Sequence, residues 1–86
     1  MSLDSINPTT GEKLNSYEEM TPAHVDSVLE QVDAARRQWS QTDFTSRAKL
    51  MHAAGEVVSR RKAELAKLIT AEMGKTLVSA EAEVEK

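Results

Sequence analysis

From Asp43 to Lys75 the chain repeats apolar residues at α-helical spacing, and no other pattern in it restricts the fold as strongly. Ala48, Leu50, Met51, Ala54, Val57 and Val58 make one stripe, and Leu65, Leu68, Ile69 and Met73 make a second. Between them, Ser59-Arg60-Arg61-Lys62 is polar throughout, so the run reads either as one long helix or as two with a break near 59–62. The break is favoured, because it sets Glu64 in the first turn of a new helix beside its positive dipole end. The two helices then cover 43–59 and 62–73, with Asp43 or Thr45 as the first N-cap. Gly74 suits the position that ends the second, and Lys75 follows as a cation at the negative end of its dipole. Gly55 lies inside the first stripe at a cost of about 1 kcal/mol against Ala, which predicts that another helix passes close by.

Upstream, Met20-Thr21-Pro22 is a helix start: Thr21 can cap, Pro22 is favoured at the first helical position, and Met20 can staple onto Val25. Val25, Val28, Leu29, Val32, Ala35 and Trp39 share one face of a helix over 21–40, and Asp33 can pair with Arg37 opposite. Gln41-Thr42-Asp43 allows only a tight connection. Asn7-Pro8-Thr9-Thr10-Gly11 has turn chemistry, which predicts a hairpin over 4–17 with strands near 4–7 and 12–17. Met1-Ser2-Leu3 is set aside from the fold. A two-stranded hairpin is marginal in water and needs a surface to lie on.

Thr76 can cap a further helix over 76–86, whose weak face of Leu77, Val78, Ala80, Ala82 and Val84 runs among Glu81, Glu83 and Glu85. Glu81 and Glu85 repel at i,i+4. The pattern reaches Lys86 without a Gly, Asn or Pro stop signal, which predicts a piece of something longer. The fold class is mainly α: a short N-terminal hairpin followed by three to four amphipathic helices.

A chain of 86 residues is one domain at most. With one Trp, one Tyr and one Phe, its core must be built from Ala, Val, Leu and Met and will be thin. There is no cysteine, so disulfides and thiolate metal sites are excluded. The sequence shows neither a basic region leading into an apolar run nor an apolar stretch near the roughly 20 residues of a membrane span. The expectation is a cytoplasmic protein without membrane association. The net charge is −3, and the basic runs Arg36-Arg37 and Arg60-Arg61-Lys62 have Asp33, Glu56 and Glu64 nearby, which argues against nucleic acid as a partner.

No reacting set of residues emerges. His24 has no second His or carboxylate at i,i+4, and His52 has only Glu56 there and no second His, so neither reads as a metal ligand. Gly74-Lys75-Thr76 resembles the end of a phosphate loop, but the earlier glycine such a loop requires would fall at Ile69. Glu72 reads as the solvent side of a last turn, and Glu81, Glu83 and Glu85 spread over different helix faces. Catalytic, cofactor-binding and metal-binding residues are therefore expected to be none.

An ordered set of short motifs resembles the aldehyde dehydrogenases. Ile6-Asn7-Pro8-Thr9-Thr10-Gly11-Glu12 looks like their opening, followed by Ala34-Ala35, Trp39, Arg47, Leu50 and Ala54. Glu64-Leu65-Ala66, Ile69-Thr70, Glu72-Met73-Gly74-Lys75 and Ala80-Glu81-Ala82-Glu83-Val84 continue the match. Within the family the pattern is most similar to the bacterial succinate-semialdehyde dehydrogenase branch. The resemblance implies a longer parent with a Rossmann-like cofactor domain, a catalytic domain and an oligomerisation arm. In such a parent a Cys thiolate attacks the aldehyde, hydride passes to NAD or NADP, and a Glu-activated water releases the acid while an Asn holds the oxyanion. Residues 1–86 match only the N-terminal part of the cofactor-binding domain, and without a cysteine that covalent chemistry is impossible here. The resemblance thus implies a structural, inactive segment whose partner is the remainder of the dehydrogenase, or further copies of itself. The alternative is a stand-alone helical protein-interaction module.

Overall fold

A computed structural model describes Met1–Lys86. Its elements in order are β1 (Ser2–Ile6), β2 (Lys13–Glu18), α1 (Pro22–Trp39), α2 (Phe44–Arg60), α3 (Lys62–Met73) and α4 (Leu77–Glu85). The architecture is mainly α, one antiparallel hairpin followed by four helices.

Polar caps fix the helix starts. The Thr21 hydroxyl accepts the His24 N–H at 3.2 Å, the Asp43 carboxylate accepts that of Ser46 at 2.8 Å, and the Thr76 hydroxyl accepts that of Ser79 at 3.2 Å. Each satisfies an N–H that its helix leaves unpaired. Pro22 opens α1 at a position where no N–H is missed. The break between α2 and α3 falls on Arg61 (φ −96°, ψ 13°). Glu64 lies in the first turn of α3 and binds Arg61 at 2.7 Å. α3 ends on Gly74 in the left-handed conformation, φ 74°.

The hairpin begins earlier than its turn chemistry indicates. Ser2 and Leu3, set aside above, pair with Glu18 and Tyr17 inside β1. Their strand state is imposed by those distant partners and not by local propensity. The register shifts between Ser5 and Ile6, opposite Asn15 and Lys13, so Leu14 faces no partner and the ribbon bends there. In the connecting loop the Asn7 side chain accepts the N–H groups of Thr9 and Thr10, at 2.8 and 3.2 Å.

Hairpin and helices meet at the α3–α4 turn. Ser5 donates its hydroxyl to Glu72 at 2.6 Å, and the loop residues Pro8 and Thr9 lie against Gly74. α3 and α4 form the one close helix pair, which holds both fully buried residues, Ala66 and Ala80. Two ion pairs close it: Lys62 with Glu85 at 2.6 Å, and Lys75 with Glu83. Two readings are corrected here. Lys75 does not simply face its helix end but reaches forward to Glu83, and the Glu81–Glu85 repulsion is relieved by Lys62.

Gly55 needs a larger correction. A methyl group placed on it would meet nothing within 4 Å, so no helix of this chain crosses there. α1 likewise packs extensively on no other element. The resulting body measures 47 × 35 × 14 Å with a radius of gyration of 17.5 Å. A compact domain of this length has a radius of gyration of about 12 Å.

The chain exposes 7305 Å², whereas a self-contained monomer of its mass exposes about 5,000 Å². Folding therefore buries only about half of the extended-chain surface, where size alone predicts about 60–65%. The excess of roughly 2,000 Å² is one partner's share of a large obligate interface. Large apolar side chains are part of it: Leu29 is 60% exposed, Met51 66%, Val78 78% and Phe44 85%.

Candidate functional site

Three shallow grooves mark the surface. The first runs between α2 and the end of α4, lined by Met51, His52, Gly55, Val58 and Val84. The second lies where the hairpin loop meets α3 and α4, lined by Asn7, Thr9, Thr10, Lys67, Thr70 and Leu77. The third follows the C-terminal half of α1 to its corner, lined by Val32, Ala35, Arg36, Trp39 and Thr42. All three open to solvent, the first and third along helix faces and the second between the hairpin loop and α3.

His52 is exposed in the first groove beside Met51. His24 sits in the first turn of α1 and lines none of the three. The glutamates of α4 diverge, Glu83 to Lys75 and Glu85 to Lys62, so they do not converge on a shared ligand. Glu72 is exposed, but its carboxylate is occupied by Ser5. In the second groove the Thr70 hydroxyl is buried without a hydrogen-bond partner.

Electrostatics follow the same structural logic. The Ser46 N–H holds the Asp43 carboxyl below its ordinary range, as expected of an N-cap. Asp4 is lowered first by the Ser16 hydroxyl and then by Lys13. Glu64 is lowered by Arg61 and Glu83 by Lys75, in both cases chiefly through the hydrogen bond. Lys62 is raised by its bond to Glu85. Each shift stabilises a helix start, a strand pair or a helix pair.

A dinucleotide does not fit this arrangement. Phosphate binding calls for glycine-rich backbone at a helix N-terminus, where free N–H groups and the dipole favour an anion. Here Gly11 lies in the hairpin loop and Gly55 lies inside α2. Gly74 caps the C-terminal end of α3, which carries the negative end of the dipole.

The residue that sequence reasoning passed over is Arg47, which appears above only as one member of a motif. Its guanidinium lies 5.1 Å from the Trp39 ring centre and 5.9 Å from that of Phe44. It also donates to the Trp39 carbonyl at 2.8 Å and to the Thr42 hydroxyl at 2.9 Å. The signal available in the sequence was a cation in the first turn of a helix, the end its dipole disfavours.

A family model described as the aldehyde dehydrogenase family matches residues 1–86. The NADP(+) succinate-semialdehyde dehydrogenase of Deinococcus radiodurans is 41% identical over 80 residues, 93% of this chain and 17% of that protein. An aldehyde dehydrogenase of Paenarthrobacter nicotinovorans is 38% identical over 86 residues, 100% of this chain and 19% of that protein. An NAD(P)+ succinate semialdehyde dehydrogenase of Escherichia coli is 37% identical over 82 residues, 95% of this chain and 18% of that protein. The chain thus spans less than a fifth of the length of these relatives. With the family model matched over the whole chain and relatives at 37–41% identity, the chain belongs to the aldehyde dehydrogenase family.

Proposed function

We propose that this chain is the N-terminal packing segment of the cofactor-binding domain of an NAD(P)-dependent aldehyde dehydrogenase. The whole enzyme oxidises succinate semialdehyde to the dicarboxylic acid, and this segment contributes no reacting group of its own. The observation that carries the reading is the exposed surface, roughly 2,000 Å² beyond that of a self-contained monomer of this mass, with large apolar side chains along the helices among it. Domains are built from layers that bury one another's apolar faces, and most of the faces here have no second layer. The names of the Deinococcus and Escherichia relatives supply the substrate class. The partner is the remainder of the dehydrogenase chain. In its absence the same faces meet further copies of this chain.

The test is a chimera in which this chain replaces the matching segment of the Deinococcus enzyme. It is expected to be soluble and to reduce NADP+ with succinate semialdehyde, while the 86-residue chain alone gives no turnover above a buffer blank. Turnover by the pure chain, or a chimera that aggregates while the parent enzyme folds, would overturn the reading. The same open stripes are also compatible with a stand-alone helical interaction module. That reading predicts a chain that is a stable monomer and a chimera that does not fold.

A further inference from the structure

α1 presents a continuous apolar face, yet no extensive packing against other elements holds it in place. Its direction relative to α2 is set at the corner Ser40–Asp43, and the side chain that spans that corner is Arg47. We infer that Arg47 is a positioning residue: it fixes the angle at which α1 leaves α2, and so the direction in which α1 offers its apolar face to the remainder of the dehydrogenase chain. The inference rests on the proposed function for the identity of that partner, and on geometry for the role of Arg47.

Five observations converge on it. Arg47 stands in the first turn of α2, the wrong end for a cation with respect to its own helix. It is the right charge for α1, whose last turn exposes carbonyl oxygens, and the Trp39 carbonyl accepts from Arg47 at 2.8 Å. The network is closed: the Thr42 hydroxyl donates to the same carbonyl at 2.7 Å and accepts from Arg47 Nε at 2.9 Å. The guanidinium carbon lies over Trp39 from α1 and Phe44 from α2, so one cation stands within cation–π range of the ring at the end of one helix and the ring at the start of the next. Alone among the arginines of the chain, Arg47 is not exposed. A rigid two-helix element meets a partner without the ordering cost that a freely hinged helix would add.

The test uses hydrogen exchange on Arg47→Lys and Arg47→Met, in the chain and in the chimera. Both variants are expected to speed exchange of the amides over 38–47 by roughly tenfold, since each loses the forked donation and the stacking. Lysine keeps the charge and should not rescue. α3 and α4 should exchange as before, and in the chimera the thermal half-life of activity should fall with KM unchanged. Thr42→Val, which removes the hydroxyl with its two hydrogen bonds and keeps both rings and the charge, should give a smaller rise at the same amides. Wild-type exchange in Arg47→Lys would overturn the inference, and so would a rise spread equally over α3 and α4. If the unaltered chimera fails to fold, the proposed function falls, while exchange in the chain alone still decides the role of Arg47.

Discussion

Replacing Gly74 by Ala tests how the hairpin and the α3–α4 pair are joined. Gly74 holds φ 74° and ψ 12° at the end of α3, and its N–H donates to the Thr70 carbonyl at 3.0 Å. In that conformation an added Cβ crowds the following carbonyl oxygen, at a cost of about 1–2 kcal/mol. The new methyl would lie 3.4 Å from Pro8 Cγ and 3.5 Å from Thr9 Oγ1, contact and not collision, so overpacking adds little. For a chain of this size each kcal/mol moves the melting temperature by about 4–8 °C, so Gly74→Ala should lower it by roughly 4–16 °C. Gly11→Ala is the control, since Gly11 has φ 78° but meets nothing within 4 Å. It should bear the same backbone cost without the loop contact. Gly55→Ala is the opposite case, with open space and a helical backbone, and should stabilise by about 0.8–1 kcal/mol. Thermal melting followed by circular dichroism compares all three. A Gly74→Ala chain that melts with the wild type would refute the strain argument. A Gly55→Ala chain that melts lower would refute the open surface at α2.

Thr76→Ala removes the cap of α4 and should cost about 1 kcal/mol, read as a lower urea midpoint with an unchanged slope. Ser5→Ala cuts the hairpin's side-chain bond to Glu72, and should speed amide exchange in β1 while leaving α3 unaffected. Acid should loosen the chain. Asp4, Asp43, Glu64 and Glu83 all have lowered folded-state pKa values. The stability they add is therefore complete above the ordinary carboxylate range and is lost as pH falls through the lower folded values. Lys62 is raised, so its contribution is lost only at the alkaline end, and a helicity titration showing no decline between about pH 5 and 2 would contradict the pairings.

Local chemistry was legible and long-range chemistry was not. Thr21, Asp43 and Thr76 cap through bonds to residues three positions ahead, so spacing alone locates them. Gly74 and the polar break at Arg61 are local in the same sense. Ser2 and Leu3 became a strand only because Glu18 and Tyr17 lie opposite. The partners of Lys62, Lys75 and Glu72 depend on how α4 and the hairpin fold back, which no periodicity encodes. Gly55 misled for a related reason: a glycine in a stripe suggests a neighbour, and within these residues no neighbour approaches. The expectation of no reacting group rests on residue types, chiefly the missing cysteine, and needs no coordinates.

Ala66 and Ala80, each fully buried at the α3–α4 contact, have a consequence for sequence drift. A helix contact made of alanines brings two backbones close and leaves no room for growth, so a larger residue at either position must push the helices apart. Elsewhere a change such as Leu29→Gln or Val78→Thr disturbs no buried partner within the chain. If the apolar character of those positions is maintained by selection, the selecting contact is therefore external. A saturation scan of the isolated chain and one of the chimera should then differ most along the stripes of α1 and α2, and that difference would trace the missing surface residue by residue.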